Sequence, residues 1–198
     1  MVLNINGINI NGHTAYTTID PTSWIDNGNL LNSYKYSKIN IGKYCAIAQN
    51  FTIQTVNQDY NYPALSGIIF QKLFNKPPFY GKHPEEYYNP PSEERTKGDV
   101  IIGNDVCIGR NVYISSGLTI GDGCYIGAHS VVTKDLPPYT VCAGVPCKPV
   151  KDRYKPEVKD FLLKLKWWDW DDEKIKKNSE FFYLNLNTIN NVNEIKIY

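Results

Sequence analysis

Aliphatic residues fall at every sixth position along much of this chain. Ile102, Ile108, Ile114, Ile120, Ile126 and Val132 keep that step unbroken, and Ile41, Ile47 and Ile53 keep it earlier. Small or polar residues stand between them, as in IGNDVC, IGRNVY, ISSGLT and IGDGCY. A helix repeats near 3.6 residues and a strand near 2, so neither alone sustains a period of six. A chain that turns a corner after each hexad does sustain it. Three hexads then close one triangular coil, with each aliphatic facing the axis and stacking on the residue 18 positions later. The expected fold is mainly β, a parallel β-helix of hexapeptide repeats.

Breaks in the pattern divide the chain. Residues 1–36, rich in Asn, Thr and Tyr, are expected to supply irregular strands that cover one end of the solenoid. Residues 37–155 hold the repeats, which residues 57–99 interrupt. That interval is dense in Pro and Tyr, and an excursion this long must leave the wall as a loop. Its aromatic content suits a pocket wall. After Val132 the Pro137–Pro138 pair ends the regular hexads, and AGVPCKPVKDRY carries the glycine and prolines of a tight turn. From Pro156 to the end the pattern turns helical. Val158, Phe161, Leu162 and Leu165 lie at spacings of three and four, with Lys159, Asp160, Lys164 and Lys166 opposite. WWDWDD stops this helix, and Asp171 or Asp172 is placed to cap a second one through EKIKKN. The segment 156–198 is therefore read as a helical segment with an Asn-rich tail.

Composition narrows the function classes. A formal net charge of +1 over 198 residues argues for neither nucleic acid nor an anionic membrane as partner. No long apolar run is present, and the start MVLNINGINING has neither the basic nor the apolar region of a signal peptide, so a cytoplasmic location is expected. The five cysteines form no CxxC or other zinc spacing. Cys45 and Cys124 each sit four places after a core aliphatic, where a coil corner favours a small residue, so packing explains them and no metal is expected. A stub of three or four coils has little core and should bury its flat faces on copies of itself; three-fold association is what a triangular prism invites.

Four stretches carry a family resemblance: INIGKYCAIAQNFTI, KGDVIIGNDVCIG, IGAHSVVTKDLPPYTVCAGVPCKPVK and LLKLKWWDWDDEKI. The chain resembles the hexapeptide-repeat acyltransferases. The last stretch looks like the xenobiotic acetyltransferase branch, which includes streptogramin and type B chloramphenicol acetyltransferases and sugar-modifying relatives. The resemblance implies a left-handed coil, opposite to the hand that general crossover rules favour. It also implies a homotrimer, with acetyl-CoA or another acyl-CoA held between neighbouring subunits as co-substrate. In galactoside acetyltransferase, whose motifs are similar, CoA contacts fall at positions matching Arg110, Ala128, Thr133, Lys134 and Lys151. Small residues near Ala128 would let pantetheine lie against the wall, and Lys134 and Lys151 would meet phosphates as point charges.

The acceptor side departs from the pattern. The family's catalytic histidine lies in a run resembling GGHDYNYP, about thirteen residues past the cysteine of the IGKYC-type motif. Here the run is TVNQDYNYP, so Gln58 stands at that position. An amide neither takes up nor releases a proton near neutral pH. His83, in the excursion, and Asp59, beside Gln58, are the candidate substitutes. His129 reads as a wall residue, and His13 falls in the N-terminal cover. A zinc enzyme on the same coil would need three converging histidines. His13, His83 and His129 do not fall at coil-related spacings for that.

An amine acceptor tolerates the loss best, because a neutral amine attacks a thioester before any proton must leave. The expected function is transfer of an acyl group from CoA to an amino or hydroxyl group of a small polar acceptor, a sugar or nucleotide-linked amino sugar. The alternatives are a catalytically impaired trimer that binds CoA or a glycan, and a streptogramin or chloramphenicol O-acetyltransferase.

Overall fold

The computed structural model describes residues 2–5, 8–11, 17–31, 37–55, 57, 68–73 and 96–198. The hexads form strands of two to four residues, and each corner starts the next side of a prism. Strands β3 (Thr17–Ile19), β6 (Ile39–Ile41), β9 (Val100–Ile102) and β12 (Leu118–Ile120) make one parallel sheet. Strands β4 (Trp24–Ile25), β7 (Ala46–Ile47), β10 (Cys107–Ile108) and β13 (Tyr125–Ile126) make the second. Strands β5 (Gly28–Leu31), β8 (Phe51–Gln54), β11 (Tyr113–Ile114) and β14 (Val131–Val132) make the third. The arrangement fits a parallel β-helix of four full coils.

The register matches the expected stacking. Ile102 pairs with Ile120, Ile108 with Ile126 and Ile114 with Val132. These side chains, with Ile39, Ile41, Ile47 and Ile53 of the coil before, are at most 3% exposed and form one continuous core. The excursion leaves the register intact, since Ile41, Ile47 and Ile53 pair directly with Ile102, Ile108 and Ile114.

Backbone conformation at the corners repeats from coil to coil. Tyr44, Asp105, Gly123 and Tyr139 occupy one column of left-handed residues, and Asn50, Asn111 and His129 another, with φ between 51° and 66°. Asn and Asp tolerate this region because their short polar side chains bond locally. Side chains also cap the neighbouring coil: Asp122 Oδ1 accepts from Asn104 N–H at 2.7 Å and from Asn104 Nδ2 at 2.9 Å. Asn104 Oδ1 accepts in turn from Lys43 N–H at 2.9 Å.

One expectation needs correcting. Much of the segment read as an irregular cover is a coil of the prism. Ile19, Ile25 and Leu30 stack on Ile41, Ile47 and Ile53, and Leu30 is fully buried. The period of six fails between Ile25 and Leu30, and eleven positions separate Leu30 from Ile41, so the coil has no visible ladder in sequence. Upstream, β1 (Val2–Ile5) and β2 (Ile8–Asn11) form an antiparallel pair that joins the third sheet at Asn9.

Beyond Val132 the hexads stop but the winding continues. Leu136 bridges Ile120, and β15 (Thr140–Ala143) extends the second sheet. A turn containing a cis Val145–Pro146 bond then sends β16 (Lys148–Asp152) back antiparallel to β15. Arg153 pins this end. Its Nη1 donates to Gly123 O at 2.6 Å and Asp105 Oδ2 at 3.3 Å, and its guanidinium lies over the Tyr139 and Tyr154 rings. Burial raises the Asp105 carboxyl from its ordinary value, and Arg153 opposes that rise.

Helix α1 spans Ile68–Leu73. The C-terminal segment carries short helices. There α2 spans Pro156–Leu165 with Val158 and Leu162 buried, and α3 spans Asp172–Lys177 with Asp171 Oδ1 accepting from Lys174 N–H at 2.7 Å. The intervening Trp167 packs on Tyr44 of the second coil at 5.0 Å between ring centroids. The KWWD stretch thus docks the tail onto the prism. No helix among the described residues is long and apolar enough to cross a membrane.

Candidate active site

The expected donor-side residues are all exposed, and they occupy three places on the last coils. Arg110 and Ala128 share the corner between the second and third sheets, one coil apart, and His129 N–H donates to Arg110 O at 2.9 Å across it. Coil spacing here is set by glycine: a Cβ on Gly109 would lie 2.6 Å from Ala128 N, a backbone atom with no freedom to move.

Thr133 and Lys134 follow directly on β14, on the same coil as Ala128. The Gly144–Cys147 turn packs beside that strand. Val131 N–H donates to Gly144 O at 3.0 Å, Cys147 N–H donates to Val131 O at 2.8 Å, and Ser130 Oγ accepts from Gly144 N–H at 3.1 Å. Lys151 lies on β16, opposite Val141 at the edge of the second sheet. Arg110 and Ala128 are therefore brought together, Thr133 and Lys134 sit one strand further on, and Lys151 is on a different edge.

Gln58, Asp59, His83 and His13 lie outside the described residues. His129 belongs to the left-handed Asn50–Asn111–His129 corner column, with its ring nitrogens 3.4–3.5 Å from Asn111 Nδ2.

Two polar contacts near the base of the excursion had no signal in sequence. Tyr113 Oη donates to Gln54 Oε1 at 3.2 Å, and Asn57 Nδ2 donates to Ser116 Oγ at 2.9 Å. Both join residues that the whole excursion separates in the chain. Burial raises the Tyr113 phenol above its ordinary value.

Cys45, Cys124, Cys142 and Cys147 are buried, and burial pushes the Cys45 thiol up to about 11. The described residues hold no cluster of three or more His, Cys, Asp or Glu side chains able to hold a metal ion.

Residues 99–134 match the family described as bacterial transferase hexapeptide (six repeats). The chain is 36% identical over 154 residues to a probable macrolide acetyltransferase of Lysinibacillus sphaericus, covering 77% of this chain and 82% of that protein. It is 35% identical over 140 residues to a chloramphenicol acetyltransferase of Klebsiella aerogenes, covering 70% of this chain and 63% of that longer protein. Among solved structures, it is similar to a hexapeptide-repeat-containing acetyltransferase of Vibrio cholerae O1 biovar eltor, complexed with acetyl coenzyme A. That likeness has a TM-score of 0.51 at 23% identity and covers 69% of this chain and 60% of the other, which supports the fold. With this ladder, these corners and these relatives, the chain belongs to the hexapeptide-repeat acyltransferases.

Proposed function

We propose that this enzyme transfers an acetyl group from acetyl-CoA to an amino or hydroxyl group of a small polar acceptor, a sugar or nucleotide-linked amino sugar. The observation that carries the reading is the glycine-spaced corner of Arg110 over Ala128, beside exposed Thr133 and Lys134. Pantetheine would lie along this backbone, with Lys134 and Lys151 facing phosphate oxygens. The acceptor nitrogen or oxygen attacks the thioester carbonyl, the C–S bond breaks, and CoA leaves as the thiol after taking the acceptor's proton. Gln58 would orient the acceptor by hydrogen bonds and would not take that proton.

Lys134→Ala is expected to weaken acetyl-CoA binding about tenfold, the loss of one charge-assisted contact, and the difference should shrink at high salt. Titration calorimetry at two ionic strengths checks this. Thiol release from acetyl-CoA, screened over nucleotide amino sugars, free sugars and antibiotics, identifies the acceptor. Lack of any affinity for acetyl-CoA would overturn the reading. CoA binding without release on any acceptor would favour a binding protein that has lost turnover.

We infer a left-handed coil and a homotrimer, as in the family these motifs resemble. In support, the outer face of the second sheet exposes Trp24 (63%) and Tyr125 (42%), with Ala46 and Cys107 between them. An apolar stripe of this kind is suited to a sister chain. Light scattering should give three times 22.6 kDa; a monomer mass would remove the subunit cleft. The five free cysteines fit the reducing cytoplasm. A second reading has an antibiotic as acceptor, favoured by the identity to the macrolide and chloramphenicol acetyltransferases.

A further inference from the structure

Ser130 stands directly before β14 and is fully buried. Its Oγ donates to Gly127 O at 2.6 Å and accepts from Gly144 N–H at 3.1 Å, and it also hydrogen-bonds the Cys147 side chain. Gly127 adjoins Ala128 at the corner, whereas Gly144 and Cys147 are the two ends of the turn that leads into β16. One hydroxyl therefore ties the corner to both ends of the turn.

The backbone bonds of the turn run elsewhere. Val131 N–H donates to Gly144 O, and Cys147 N–H donates to Val131 O, so these two hold the turn to β14. Gly144 has φ +102°, a conformation that side chains resist. Directly after Cys147 comes β16, the edge strand of the second sheet, held on one side by β15 in a ladder whose register shifts between Val141 and Cys142. Lys151 lies four residues beyond Cys147, about 13 Å along an extended strand, so a tilt of about 10° at the turn would carry it about 2 Å.

We propose that Ser130 is a positioning residue for the acyl donor: by fixing the Gly144–Cys147 turn to the Gly127–Ala128 corner, it sets where Lys151 stands relative to that corner. The proposal rests on the acyl-transfer reading above, in which pantetheine follows the corner and Lys151 meets phosphate. Ser130 itself is buried in the wall and acts through the turn. Removing its hydroxyl takes a donor from Gly127 O and an acceptor from Gly144 N–H, which frees the turn to shift.

The test is a double-variant cycle of Ser130→Ala with Lys151→Ala, read as acetyl-CoA affinity by titration calorimetry and as KM and kcat by thiol release. Ser130→Ala alone is expected to weaken acetyl-CoA binding about three- to tenfold, the worth of one hydrogen bond, with the acceptor KM unchanged. Lys151→Ala alone should weaken it about tenfold, the loss of one charge-assisted contact. In the Ser130→Ala background the lysine change should cost no more than about threefold, because a displaced ammonium has less to lose. A packing defect unrelated to Lys151 would instead give additive losses. Additive losses, or unchanged affinity in either single variant, would overturn the proposal while leaving acyl transfer standing. A wild-type protein with no affinity for acetyl-CoA would overturn the acyl-transfer reading, and the proposal with it. Should Ser130→Ala fail to fold, Gly144→Ala takes its place in the cycle with the same outcomes. Its Cβ would meet nothing nearer than Pro146 O at 3.6 Å, so it disturbs the turn through backbone strain alone.

Discussion

Gln58→His is expected to raise kcat/KM for a hydroxyl acceptor by about 10²–10⁴, the usual worth of a general base. A hydroxyl is a poor nucleophile until its proton begins to leave, and imidazole accepts that proton near neutral pH whereas an amide does not. The pH profile should gain a rising limb near the ordinary histidine value of about 6.5, absent from the wild type. An amine acceptor should respond far less, because its neutral form attacks unaided. The contrast between the two acceptor classes is the informative result. Equal, unchanged rates with both would show that position 58 no longer faces the reacting atoms.

Ile108→Ala is expected to cost about 3 kcal/mol of stability, within the range for emptying a buried aliphatic site. Ile108 is 1% exposed and stacks between Ile47 and Ile126, so neither neighbour is free to collapse into the gap without breaking ladder bonds. Both strands of that stack are held by backbone contacts on each side, including Ala48 N–H to Ile108 O and Gly109 N–H to Ile126 O. For a chain of this size each kcal/mol lowers the melting temperature by roughly 2–4 °C. Thermal unfolding followed by circular dichroism should therefore show a drop of about 6–12 °C. A drop below one or two degrees would mean that the stack is not the main source of cohesion. The exposed Ile101, on the outer face of the neighbouring sheet, serves as the control.

How far the sequence was readable varied with the length scale of the signal. The ladder from Ile102 to Val132 was fully legible because every hexad has one core position and each coil repeats the last. The helices were legible for a similar reason: Val158 and Leu162 mark a face, and Asp171 stands where a cap is needed. The first coil was not, because Ile19, Ile25 and Leu30 break the step and polar residues dominate around them. Contacts that bring remote segments together left no periodic trace. Ser116 with Asn57, Tyr113 with Gln54, and Arg153 with Asp105 become neighbours only once the coils stack. On the candidate site, Arg110 and Ala128 could be paired in advance because eighteen positions separate them. Lys151 could not be placed, since β16 reverses direction after the prolines and leaves the ladder's numbering.

The direct pairing of Ile41 with Ile102 has an evolutionary consequence. A stacked coil senses only the coils above and below it, so it is indifferent to how many residues were spooled out between them. Whatever is inserted after β8 can be lengthened, trimmed or exchanged as a cassette while the remaining scaffold keeps its shape. The frame itself would pass unaltered through such exchanges.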